Sequence, residues 1–341
     1  MTINMEFEDN YSQGCKACQK GTWLCIYLTY LCNAKCSFCP SPFKNRDFIN
    51  SAFGNDPVII LKYLERYPFE GISFSGGESF MVYDRMLSWL NFFRKNKPRL
   101  YYWAYTNGIN IKNEQLDGLK NAGLNELRFN IAASGYIHPT ILKTIAYASR
   151  LFEHVAVEVP SIPEDYELIK SVVPALNENG VDYLNLHEYI LVPNDPNTKN
   201  APKSLFLMNF DMNMDFHQES LTNTEKIKSF CAENNFNIKI NSCSLMKKEH
   251  QMLGRRISMG TMLKEDHEKL TNEGFLETIY IPGEMITNLM ENLKSYSKID
   301  RSLFMHPDHF KRNESEAYLL KILPKLGIND LPKVIDFKKL S

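Results

Sequence analysis

The stretch LTYLCNAKCSFCPSP, residues 28–42, decides how the rest of the chain is read. It sets Cys32, Cys36 and Cys39 in the order Cys-x3-Cys-x2-Cys at the end of the apolar run TWLCIYLTYL, residues 22–31. That run has the β-branched and aromatic composition of a strand, so the cysteines fall on the loop that leaves it. Iron–sulfur clusters ordinarily take four cysteine thiolates. Three on one short loop can hold three irons of a [4Fe–4S] cluster and leave the fourth iron open to a ligand from elsewhere. A zinc knuckle is the rival reading, but structural zinc wants four closed ligands, mostly as paired Cys-x2-Cys.

Outward from this loop, apolar β-rich runs alternate with amphipathic helical stretches. The helix DPVIILKYLERYP leads to the strand and turn EGISFSGGE. The pattern repeats through helix DRMLSWLNFFRKN and strand LYYWAYTNG, helix NEQLDGLKNAG and strand ELRFNIAA. Helix PTILKTIAYASRLF then precedes strand HVAVEVPSI, and helix DYELIKSVVPALNENG precedes strand YLNLHEYIL. Six strands with five helices between them imply a parallel sheet with right-handed crossovers. The expected class is α/β, a partial six-stranded (β/α)6 parallel barrel with a smaller mixed C-terminal region. Residues 1–21 form an N-terminal extension with a cysteine pair, 22–192 the barrel, and 193–341 the C-terminal region. In that last part PNDPNTKNAPKS reads as a linker. A helix NTEKIKSFCAENN, a strand FNIKINSC, a helix KKEHQMLGRRISMG and a strand FLETIYIPG follow, and polar helical stretches finish the chain. Barrel-like α/β folds place their sites at the C-terminal ends of the strands. The cysteine loop, SGGE, TNG and NIAAS all follow strands and should converge on one rim.

The cysteine motif directly after the first strand, Phe38 just before its last cysteine and Gly76-Gly77-Glu78 after the second strand resemble the radical S-adenosylmethionine (SAM) superfamily. The resemblance runs over about residues 15–260. It implies a [4Fe–4S] cluster on Cys32, Cys36 and Cys39 whose unique iron chelates the amino and carboxyl groups of SAM. The reduced cluster would pass one electron to the sulfonium, giving methionine and a 5′-deoxyadenosyl radical that takes hydrogen from an unreactive C–H bond. The implied partner is a reductant such as a flavodoxin or ferredoxin. Gly76-Gly77-Glu78 looks like the motif that receives the SAM amino group, and glycines allow close backbone approach. Thr106-Asn107-Gly108 ends the third strand, where similar enzymes often carry the same tripeptide; its bland reading is an Asn-Gly turn. Arg128 and Asn130 alternate on the fourth strand and so share a face. The resemblance points that face at the SAM carboxylate and ribose, and the planar fork of Arg suits a carboxylate. A structural ion pair is the alternative for Arg128. Glu158, ending the fifth strand, falls where the superfamily contacts adenine. His187 and Glu188 close the sixth strand on opposite faces and are candidates for substrate, as is Arg255 in the basic run near Lys247 and Lys248. Satisfied polar core residues and a solvated helix face are the plainer readings of these three.

A second cysteine group lies at Cys15 and Cys18, with Cys25, Cys231 and Cys243 beyond. Cys-x2-Cys lets two thiolates face one metal. GCKACQKGTWLCIYLTYLC and the later NSCSLMKKEHQMLGRR resemble an uncharacterised radical SAM subgroup related to pyruvate formate-lyase activating enzymes. The resemblance implies that Cys15, Cys18 and Cys243 bind one metal, a second iron–sulfur cluster or a zinc. Its fourth ligand would be Cys25, Cys231 or none. Buried structural cysteine is the better reading of Cys25, within an apolar strand, and of Cys231, on a helix.

The remaining features bound the class. The 341 residues suffice for one α/β-barrel-sized domain or two smaller ones. Hydrophobic residues make up 44%, charged residues 23% and the net charge is −1, so nothing draws the chain to nucleic acid or an anionic membrane. The start MTINMEFEDN is acidic and unlike a signal peptide, and the longest apolar run is far short of the roughly 20 residues that span a bilayer. The expected setting is cytoplasmic, where eight cysteines serve as ligands or free thiols sooner than as disulfides. The function expected is a radical SAM enzyme acting on a small metabolite or peptide. A glycyl-radical activase working on a protein partner and a non-catalytic zinc-binding protein are the alternatives.

Overall fold

A computed structural model describes residues 11–41, 45–192, 201–208, 212–282, 296–299, 302–310, 317–324 and 333–340. Two compact units divide the chain, Asn4–His250 and a second one from Gln251 to Ser341. The first holds an eight-stranded sheet. Strand β1 (Trp23–Thr29) pairs antiparallel with the short β2 (Asn50–Ser51) and parallel with β3 (Gly71–Gly76). Parallel neighbours follow in chain order: β4 (Tyr101–Thr106), β5 (Glu126–Phe129), β6 (His154–Pro160) and β7 (Tyr183–His187). These are the six strands read from the sequence, in a partial barrel.

The helices between them start where the sequence signals it. In α2 (Pro57–Arg66), Asp56 accepts the Val58 N–H and Pro57 takes the first turn, where a missing N–H costs nothing. The others are α3 (Tyr83–Asn96), α4 (Asn113–Asn121), α5 (Pro139–Leu151) and α6 (Tyr166–Glu178). One face of the sheet is an unbroken apolar layer. Leu24, Ile26, Ile72, Phe74, Ala104, Leu127, Phe129, Val155, Val157 and Leu184 stand opposite one another along the ladders, each at most 1% exposed. The other face carries Cys25, Ser73, Trp103, Tyr105, Glu126, Arg128, Glu158, Asn185 and His187, the alternate residues of the same strands. Side chains alternate faces along a strand, so one sequence pattern builds a core on one side and a polar chamber on the other.

Three features depart from the sequence reading. The strand FNIKINSC does not open the C-terminal region: as β10 (Lys239–Cys243) it pairs parallel with β7 and extends the sheet to a seventh parallel strand. The N-terminal cysteine pair sits on a helix, α1 (Gln13–Lys20), capped by Ser12 at one end and by Gly21 with φ 72° at the other. The chain does not finish in polar helices. In the second unit β12 (Leu276–Ile281), β13 (Tyr296–Ile299), β14 (Ser302–Met305), β15 (Tyr318–Leu323) and β16 (Lys333–Lys339) form an antiparallel sheet, with β11 (Lys269–Leu270) paired to β12. A separate hairpin, β8 (Lys203–Met208) with β9 (Met212–His217), precedes α7 (Ser220–Glu233), and α8 (Leu245–Leu263) follows β10. The acidic start and residues 193–200 of the expected linker PNDPNTKNAPKS lie outside the described residues, and its last two, Lys203 and Ser204, open a strand instead. Among the described residues no helix is long and apolar enough to cross a membrane.

Candidate functional site

The cysteine loop leaves β1 at the rim. Cys32, Cys36 and Cys39 are each half-buried. The Ala34 N–H lies 3.4 Å from Cys32 Sγ and the Asn107 side-chain amide 3.8 Å from it. Burial pushes the Cys32 thiol up, opposed by the Ala34 N–H. Phe38 packs against the apolar group of Ile162, Tyr189 and Leu191, beyond the ends of β6 and β7.

The end of β3 is stitched to this loop. The Gly77 N–H donates to Thr29 O at 2.8 Å and the Glu78 N–H to Leu31 O at 2.7 Å. A Cβ on Gly76, whose φ is +128°, would fall 2.0 Å from Thr29 O, and one on Gly77 would fall 2.1 Å from Leu31 O. Both glycines are therefore required by the loop's own backbone. Glu78 is fully buried. Its carboxylate accepts the Phe80 N–H at 3.0 Å, the Thr106 hydroxyl at 2.7 Å and the Asn107 N–H at 2.6 Å. Burial pushes this carboxyl up against those hydrogen bonds. Asn107 closes the ring by donating to Asn33 Oδ1 at 2.7 Å. The three rim motifs thus meet at one place. The Glu78 carboxylate is engaged in holding β4 to β3.

Arg128 lies elsewhere. Its guanidinium is 3% exposed on the polar face of the sheet. It donates to Glu126 Oε1 at 2.6 Å, to Glu158 Oε1, to Ser12 Oγ at 3.3 Å and to Cys15 Sγ at 3.5 Å. It also lies 5.3 Å from the Trp103 ring centre and 5.5 Å from that of Tyr105. The resemblance pointed Arg128 at a cofactor carboxylate; here its donors are engaged by protein groups, as in the ion-pair alternative. Glu158, expected near adenine, also accepts from Asn185 Nδ2 at 3.0 Å and lies 2.6 Å from His187 Nε2. Burial pushes the Glu158 carboxyl up, but Arg128 and His187 outweigh it and hold the group well below its usual range. Asn130 falls just past the end of β5, and its buried Oδ1 accepts no hydrogen bond.

The upstream cysteines reach the same interior. Cys15 Sγ receives Arg128 and, at 3.7 Å, Asn185 Nδ2. Burial raises the Cys15, Cys18 and Cys243 thiols. Cys15 and Cys243 each add to the rise at Cys18, and Cys15 adds to that at Cys243, pushed up to about 12. Cys25 interacts with the Tyr27 phenol, and Cys231 is buried on α7, pushed up to about 11 by burial alone. Among the described residues no group of three His, Cys, Asp or Glu is gathered where it could hold a metal ion. The donor chemistry of both cysteine groups nevertheless suits thiophilic metal: thiols not tied up in disulfides, with N–H groups aimed at sulfur.

Of the proposed substrate residues, His187 lies on the polar face of the sheet. Glu188 accepts the Leu245 N–H at 2.7 Å at the start of α8, a structural task. Arg255 lies on α8 beyond His250, in the second unit. Sequence reasoning singled out Asn185 beside His187 and Glu188 as a possible substrate contact, and missed Ser12, Glu126 and Asn33. Ser12, ahead of an eight-residue helix ending at Gly21, carried a readable capping signal.

Fold and loop together define a partial α/β barrel with a three-cysteine loop after its first strand and glycine-rich and polar strand ends around it. The model of the Radical SAM superfamily matches residues 26–196, half of the chain, and the chain belongs to that superfamily. Membership makes it an enzyme, implies a [4Fe–4S] cluster and SAM as cofactors, and sets aside the non-catalytic zinc-binding alternative. Radical SAM enzymes take their electron from a reductant. A Methanocaldococcus jannaschii protein provisionally named a glycyl-radical enzyme activating enzyme is 26% identical over 314 residues, covering 87% of this chain and 80% of that protein. The crystal structure of Streptococcus suis SuiB bound to precursor peptide SuiA matches with a TM-score of 0.50 at 15% identity. The match covers 71% of this chain and 57% of that one, and it speaks to the fold.

Proposed function

We propose that this enzyme reductively cleaves SAM at a cluster held by Cys32, Cys36 and Cys39 and uses the product radical to take hydrogen from a substrate C–H bond. The observation that carries this reading is the junction of the three rim motifs. Gly77 and Glu78 bond to the backbone of the cysteine loop, and Asn107 joins Glu78 to Asn33. Bound there, the cluster and SAM supply methionine and a 5′-deoxyadenosyl radical, which is the cofactor's chemistry. The chain's part is positioning. Main-chain carbonyls at Gly76-Gly77 accept the SAM ammonium, and the open Oδ1 of Asn130 remains for its ribose. Glu78 and Thr106 brace the rim, and Phe38 anchors the loop to β6 and β7.

Cys15, Cys18 and Cys243 hold a second metal in this reading. An iron–sulfur cluster is favoured over zinc because a set of three thiolates suits a cluster, whereas structural zinc wants four closed ligands. The substrate is a small metabolite or peptide. Installation of a glycyl radical on a protein partner is the second reading, and the name of the Methanocaldococcus relative favours it.

The test is anaerobic purification, iron and sulfide analysis, then SAM with a strong reductant. Formation of 5′-deoxyadenosine is expected, and its absence from a protein holding iron counts against the mechanism. About eight irons per chain support two clusters, and about four support one cluster with zinc or thiols. A glycine-centred radical on an added partner, seen by electron paramagnetic resonance, would select the activase.

A further inference from the structure

We infer that Asn107 is a positioning residue for the loop cluster: its side-chain amide donates to the Cys32 sulfur and raises the reduction potential of the cluster that Cys32 helps to hold. The inference rests on the proposed cluster at Cys32, Cys36 and Cys39. It gives Asn107 a task beyond the turn that follows β4.

The amide is fixed at every polar atom. Asn107 is buried, and its main-chain N–H donates to Glu78 Oε2 at 2.6 Å. Its Oδ1 accepts the Ile109 N–H at 2.9 Å. A main-chain N–H can be received only by the oxygen of a carboxamide, so this bond settles which way the amide points. Nδ2 is then turned toward the cysteine loop, where it lies 2.7 Å from Asn33 Oδ1 and 3.8 Å from Cys32 Sγ. Asn33 is oriented in turn, since its own Nδ2 donates to Ile109 O at 3.4 Å and leaves Oδ1 to accept. Both side-chain hydrogens of Asn107 thus have a receiver on the loop, one an oxygen and one a sulfur.

The consequence for a bound cluster is electrostatic. Hydrogen bonds to the sulfurs are among the factors that set the potential of an iron–sulfur cluster. The positive end of an N–H dipole directed at a ligating sulfur favours the form with the extra electron. The loop's own donor at Cys32 is the Ala34 N–H at 3.4 Å. Asn107 adds a second from 75 residues away, at the end of β4. Asn107 therefore eases reduction of the cluster, while Asn33 ties the loop to β4.

The test is a redox titration of the reconstituted full-length protein, followed by electron paramagnetic resonance, in the parent, Asn107→Ala, Asn107→Asp and Asn33→Ala. Losing one hydrogen bond to the sulfur should lower the equilibrium constant for reduction about fivefold to tenfold in Asn107→Ala. Tenfold is about 59 mV for a one-electron couple. Asn107→Asp keeps the shape and the bond from Ile109 but has no side-chain N–H, so its potential should fall at least as far. Asn33→Ala removes the tether and keeps the donor. It should hold the parent's potential and lose iron faster to a chelator. An unchanged potential in the Asn107 variants, or a shift in Asn33→Ala equal to that in Asn107→Ala, overturns the inference while the cluster stands. A parent that takes up no cluster at the loop removes the proposed cluster, and the inference with it.

Discussion

The two cysteine groups of this enzyme are built on opposite principles. Cys32, Cys36 and Cys39 sit within eight residues on a half-exposed loop, and the groups braced around them are largely main chain. Cys15, Cys18 and Cys243 come from a helix and a strand more than two hundred residues apart, and Cys15 meets the buried Arg128 network of Glu126, Glu158 and Asn185. An open loop leaves room for a ligand at the metal. In the second group Cys15 is buried against Arg128 and Asn185, while Cys18 and Cys243 are partly exposed. The difference is between a loop set by its neighbours in sequence and a group set by long-range contacts.

Removing one partner from the interior network should have the largest effect on stability. Arg128→Met leaves Glu126 and Glu158 buried without their cation, and losing one partner of a buried pair costs about 3–5 kcal/mol. Denaturant unfolding should show the loss in the midpoint. A change below about 1 kcal/mol would mean the interior is wetter than its geometry. On the loop side the matching test is Gly77→Ala, whose Cβ would meet Leu31 O at 2.1 Å. Overpacking of this kind costs about 1–3 kcal/mol. Here it should also lower iron retention at the loop while leaving metal at the interior trio unchanged.

How much of this contrast the sequence disclosed follows from the range of the contacts. The six strands were legible because each alternates buried apolar residues with polar ones, and the cysteine loop because its residues are neighbours. The rim junction was legible as three separate motifs on successive strand ends. The Arg128 network was not, because Cys15 is 113 residues from Arg128 and Glu158 is 30, and residue type alone made both suit a cofactor. The seventh strand was assigned to the wrong region because it follows a linker-like segment. The C-terminal strands were missed where lysines and acids interrupt the apolar period, as in KVIDFKK.

Acid should weaken the interior before the loop. Arg128 and His187, against burial, hold the Glu158 carboxyl below its ordinary 4.5. A depressed carboxylate contributes stability that is fully present above the unfolded value and lost as pH falls through the folded one. The stability gap between the parent and Glu158→Gln should therefore narrow as pH drops below about 4.5. A gap that stays constant from pH 6 to pH 3 would show that the fold leaves the Glu158 carboxyl at its unfolded value. The smallest effect should come from Arg85→Ala. Arg85 bonds to Asp47 at 2.7 and 3.0 Å and to Leu28 O at 2.7 Å, but the pair is 31% and 41% exposed. Such pairs are worth about 0.5–1 kcal/mol, seen as a slight drop in thermal midpoint that salt reduces further in the parent.

The division of labour between the two groups is tested most directly by 5′-deoxyadenosine formed from SAM under strong reductant, without added substrate, in the parent, Cys32→Ala and Cys18→Ala. The parent and Cys18→Ala should form it at comparable rates, and Cys32→Ala should form none. Product from Cys32→Ala, or its complete loss in a folded Cys18→Ala protein that still holds iron at the loop, would contradict the assignment of the chemistry to the exposed loop.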